Sequence, residues 1–105
     1  MIVEMRTYTA HPGRAGDFLK LYESLALKLQ KKHLGHLMGF YVTEIGPLNQ
    51  IVHLWGYDSL ADRTERRAKL DADPAYAVYK EASAKLGAIQ HQEAKIMKPL
   101  PFSPV

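Results

Sequence analysis

The sequence predicts an α+β domain in which a four-stranded antiparallel sheet carries helices on one face, in the order strand, helix, strand, strand, split helix, strand. Three features predict it. Strand-like runs rich in β-branched and aromatic residues occupy both ends and the middle of the chain. Between the first two runs, Phe18, Leu21, Tyr22, Leu25, Ala26 and Leu29 recur at helical spacing. Between the middle two, Gly46-Pro47-Leu48-Asn49 is long enough only for a hairpin turn.

The first strand is expected over residues 2–9, and His11-Pro12-Gly13 breaks it. The helix that follows should end near Gly35, after Lys31, Lys32 and His33, whose positive charge suits a helix C-terminus. A second strand from about Leu37 to Ile45 and a third ending at Tyr57 flank the turn. Asp58-Ser59 can cap a polar helix over 60–70. Asp73-Pro74 then caps and starts another, with an expected apolar stripe of Ala75, Val78, Tyr79, Ala82 and Leu86. Gly87 should stop it before a last strand over 88–98. Residues 1–98 thus read as one ferredoxin-like βαββαβ domain. Residues 99–105 form a proline-rich tail that cannot join a ladder, because its prolines lack the N–H donor.

At 105 residues there is material for one core. With no cysteine, disulfides, thiolate metal sites and cysteine nucleophiles are excluded. The chain opens on Met1-Ile2-Val3-Glu4-Met5-Arg6, with neither a leader pattern nor an apolar run of membrane-spanning length, so a cytoplasmic protein is expected. A formal charge of +3 is too mild for a nucleic-acid binder, and Arg63, Arg66, Arg67 and Lys69 read as a solvated helix face.

Alternation divides each central strand into two faces. Val3, Met5, Thr7, Val52 and Leu54 are small or aliphatic, and are expected under the helices. Glu4, Arg6, Tyr8, His53, Trp55 and Tyr57 are large, aromatic or ionisable, and are expected on the open face. Such a face would need a cover, and a second copy of the chain is the simplest one.

The run Glu4-Met5-Arg6-Thr7-Tyr8 with Pro12-Gly13 resembles the opening of the NIPSNAP family. So do Glu44 to Asn49, His53-Leu54-Trp55-Gly56-Tyr57 with Arg63, Asp73-Pro74, and the ending Pro99 to Pro104. The resemblance implies a dimeric α/β-barrel, of the broad superfamily that holds cofactor-independent monooxygenases, haem-degrading enzymes and muconolactone isomerases. It does not fix an activity. Animal relatives are associated with mitochondria; the chain is read as lacking their transit segment and extra domain, so those cellular roles are not carried over.

Six residues form the expected ligand-binding set: Glu4, Arg6, Tyr8, His53, Trp55 and Tyr57. Within the barrel interior they would hold a small apolar or aromatic molecule, Trp55 and Tyr57 clamping it. A catalytic version makes His53 the base, Tyr8 its hydrogen-bond partner and Arg6 the cation for a developing oxyanion, on a small carbonyl or phenolic substrate. The structural alternative is a satisfied polar network with no ligand. No cofactor and no metal are expected: His33 and His36 are separated by a helix stop, and His91 with Glu93 offers at most two ligands. Met38-Gly39-Phe40-Tyr41-Val42 faintly echoes an RNA-binding aromatic motif, but lies on the second strand and lacks the leading basic residue.

Overall fold

The computed structural model describes residues 1–105. The strands are β1 (Ile2–Ala10), β2 (His36–Val42), β3 (Gln50–Tyr57) and β4 (Ile89–Met97). The helices are α1 (Ala15–Leu25), α2 (Leu27–His33), α3 (Leu60–Ala72) and α4 (Pro74–Leu86). The sheet runs β2-β3-β1-β4 with every neighbouring pair antiparallel, so β1 and β3 are the central strands. The molecule is only 18 Å through its thinnest dimension, which leaves room for one sheet and one helix layer.

Local chemistry explains the boundaries. Ser59 accepts a hydrogen bond from the Asp62 amide at 3.1 Å and starts α3. Asp73 ends α3 and caps α4, its Oδ1 accepting from the Ala75 amide at 3.0 Å. Its Oδ2 pairs with His33 Nε2 at 2.9 Å, which ties the end of α2 to the start of α4. Gly87 ends α4 at φ 60°, where a side chain would be strained. The first helix was expected to be continuous; instead it bends at the buried Ala26, although the Ala26 amide still bonds Tyr22 and its carbonyl still receives the Gln30 amide.

Two expectations about packing are corrected. Of the expected α4 stripe Tyr79 is buried and Ala82 and Leu86 are half-buried, but Ala75 and Val78 face solvent and the buried Tyr76 takes their place. More consequentially, the two faces of the sheet are exchanged. Glu4, Tyr8, His53, Trp55 and Tyr57 are all buried, and they lie on the helix side. There Tyr8 meets Phe18 of α1 edge-on at 5.7 Å, and His53 meets Tyr22 at 6.2 Å. The aliphatic set, Val3, Met5, Val52 and Leu54, lies on the open side. The reason is that the helices bring what large polar residues need: a second arginine for Glu4 and aromatic rings for the aromatic residues.

Candidate functional site

β1 places Glu4, Arg6 and Tyr8 along one face at successive alternate positions, and the β1–β3 register sets Glu4 opposite Trp55 and Arg6 opposite His53. From α3 comes Arg63. Its Nε donates to Glu4 Oε1 at 3.1 Å and its Nη2 to Oε2 at 2.8 Å, a two-point grip. Arg6 donates from Nη1 to the same Oε2 at 3.0 Å, and from Nε to the Tyr8 hydroxyl at 3.0 Å. The Glu4 side chain is wholly inaccessible. Burial alone would raise its carboxyl pKa, but the Arg63 hydrogen bonds and the charges of both arginines outweigh this and hold it below the ordinary value.

His53 sits beside this chain in an aromatic box. Its ring stacks on Phe40 at 4.5 Å and stands edge-on to Tyr8 at 4.9 Å. The indole Nε1 of Trp55 donates to His53 Nδ1 at 2.8 Å. An indole N–H can only donate, so Nδ1 carries the lone pair and the proton of the neutral ring is on Nε2. That Nε2 has no hydrogen-bond partner. Burial, then the Arg6 charge, pushes the His53 pKa down to about 3. The geometry does not favour the expected role of His53 as a base: its basic nitrogen is occupied by Trp55, and the ring is closed off from solvent. Trp55 and Tyr57 are likewise buried in the core.

Arg6 and Tyr8 reach an open space. Between α4 and β4 runs a groove of about 710 Å³, and these two residues form its floor. Gln30 joins them from α2, and Tyr76, Tyr79 and Lys80 from α4. Of the six expected ligand-binding residues, only Arg6 and Tyr8 line it. Tyr76 was the missed residue: it lies three positions before the expected stripe residue Tyr79, their rings 5.6 Å apart, on a helix face that turns toward the sheet. No group of three or more His, Asp or Glu side chains converges as a metal site requires.

The NIPSNAP family model matches residues 3–104. The chain belongs to the NIPSNAP family. A NipSnap homolog from Dictyostelium discoideum is 34% identical over 99 residues, covering 92% of this chain and 42% of that protein. A NIPSNAP family crystal structure of unknown function, from Agrobacterium tumefaciens, is 46% identical with a TM-score of 0.90, covering 99% of this chain and 92% of that one. The chain spans less than half the length of the curated relatives it matches. A putative antibiotic biosynthesis monooxygenase from Nitrosomonas europaea shares the fold at a TM-score of 0.68 and 12% identity, covering 95% of this chain and 99% of that one. In this NIPSNAP chain the Glu4, Arg6, Tyr8 and Arg63 side chains that carried the resemblance form one connected network. No helix is long and apolar enough to cross a membrane.

Proposed function

We propose that this NIPSNAP chain is a small-molecule-binding protein that works as a homodimer, each protomer taking an aromatic ligand in the groove between α4 and β4. The observation that carries the reading is the groove itself. Its volume of about 710 Å³ falls in the range of small-molecule sites, and its floor is an ordered arginine–tyrosine pair beneath a tyrosine wall. The Glu4–Arg63 grip gives that floor a fixed geometry, which is what a site needs to orient a ligand. An enzymatic reading, oxygenation or isomerisation of a carbonyl or phenolic compound, is less well served: the sealed His53 does not line the groove, and the one histidine that does, His91, stands exposed on β4 beside Glu93.

The dimer is supported by the open sheet face. Val3, Leu54, Met38 and Met97 edge an apolar hollow of about 530 Å³ with the tail residues Leu100 and Phe102. Phe102 is 84% exposed, so within one chain it finds no seat. A second sheet laid on this face would cover both.

Saturation-transfer NMR with 2-naphthol tests the ligand site. The wild-type chain should transfer saturation, and an Ala84→Trp chain, which fills the groove from exposed α4, should not. Equal transfer in both would refute the groove as the site. Sedimentation equilibrium should return twice the 11.9 kDa chain mass, and a single-chain mass would refute the dimer.

A further inference from the structure

We infer that the ligand of the α4–β4 groove is an aromatic carboxylate, its anionic group held on the floor by Arg6 and Tyr8. This rests on the small-molecule reading above and specifies its chemistry. In the buried network a single carboxylate, Glu4, serves two guanidinium groups, Arg6 and Arg63, which leaves one positive charge without a partner. Arg6 is the member that opens on the groove.

The hydrogen-bond inventory of the floor points the same way. Arg6 commits Nε to Tyr8 and Nη1 to Glu4, and its Nη2 makes no hydrogen bond within the chain. The Tyr8 oxygen accepts from Arg6, so its O–H remains free to donate. Gln30 accepts on Oε1 from the Tyr22 hydroxyl, which leaves its amide N–H groups free. Arg6, Tyr8 and Gln30 thus all have donors to spare. At the rim Lys80 lies over the Tyr76 ring, 5.5 Å from its centroid, and adds a second full charge. No aspartate or glutamate lines the groove. A ligand cation would face the Arg6 and Lys80 charges with no carboxylate to answer it, and a neutral amide would leave the arginine charge unmatched. A carboxylate accepts from both Arg6 and Tyr8 while the tyrosine wall covers its ring.

The test is calorimetric titration of the full chain with three ligands of one shape: 2-naphthoate, 2-naphthamide and 2-naphthylmethylammonium. Naphthoate should bind at least about tenfold tighter than the amide, the size of effect expected for hydrogen bonds to a charged group. The ammonium compound should bind weakest. Arg6→Met should erase the preference for naphthoate while leaving amide binding in place. Should that variant fail to fold, since Arg6 also serves Glu4, salt supplies the second measurement. Raising sodium chloride from about 20 to about 500 mM should weaken naphthoate at least threefold and leave the amide unchanged, because ions screen only the charged ligand. Equal affinity of naphthoate and naphthamide, preference for the ammonium, or salt-independent naphthoate binding would overturn the assignment of a carboxylate while leaving the groove a ligand site. If none of the three bound, the groove reading would fail and the assignment with it.

Discussion

His53 should make this protein sensitive to mild acid, and the size of the effect follows from its surroundings. An unfolded chain exposes the imidazole at its ordinary value of 6.5, whereas burial in the fold pushes it down to about 3. A base with a depressed folded pKa contributes fully above pH 6.5, and its contribution drains away as the pH falls toward 3. In that window the unfolded state binds a proton that the native state refuses. Well below pH 6.5 each pH unit removes ~1.36 kcal/mol; since the unfolded imidazole is already half protonated at 6.5, the loss from pH 6.5 to 4.5 is about 2.3 kcal/mol. That is a large share of the roughly 5–15 kcal/mol that holds a domain together. The lower bound stops at the ordinary value of 4.5 for Glu4, most of whose own contribution is lost at still lower pH. Urea unfolding of wild type and His53→Gln at pH 6.5 and 4.5, at one protein concentration, isolates the term. Glutamine can still accept from the Trp55 indole, so the variant keeps that hydrogen bond and loses only the titration. Wild type should lose about 2–3 kcal/mol more than the variant over this interval. Equal losses would refute the picture of a neutral, sealed imidazole.

The same network and the same sheet make sharper demands elsewhere. Glu4→Ala strands Arg6 and Arg63 without their shared carboxylate, and urea unfolding should record a loss of about 3–5 kcal/mol. Gly35→Ala should cost at least about 2 kcal/mol in the same assay, because a methyl group there runs into the Gly56 carbonyl oxygen of β3, and two backbones cannot both give way. Trp55→Phe leaves His53 Nδ1 without its donor in a sealed site and should cost about 1–3 kcal/mol beyond the lost volume. A Trp55→Phe chain as stable as wild type would mean that the indole N–H is not satisfied by His53.

The strand order, the hairpin, the caps at Ser59 and Asp73 and the stop at Gly87 were all legible, because each rests on a few neighbouring residues. The two-residue alternation of β1 and β3 was legible as well, and it grouped Glu4 with Arg6 and Tyr8, and His53 with Trp55, on one face. Which face turned inward was not. Local polarity says that Glu4 and Arg6 should seek water. Only the arrival of Arg63, fifty-nine positions along the chain, makes burial of Glu4 affordable. The groove was illegible for the same reason, since its walls come from α2, α4 and β4, which sequence spacing does not bring together. The NIPSNAP resemblance named the residues of the network without their contacts.

The location of a bound aromatic molecule tests the central claim most directly. Backbone amide shifts of the full chain can be followed by two-dimensional NMR during titration with 2-naphthol. We expect the largest shifts at Tyr8, Ser83, Gly87 and Gln90, around the groove between α4 and β4. Shifts concentrated at Val3, Leu54 and Met97 would place the ligand on the open sheet face and contradict the account.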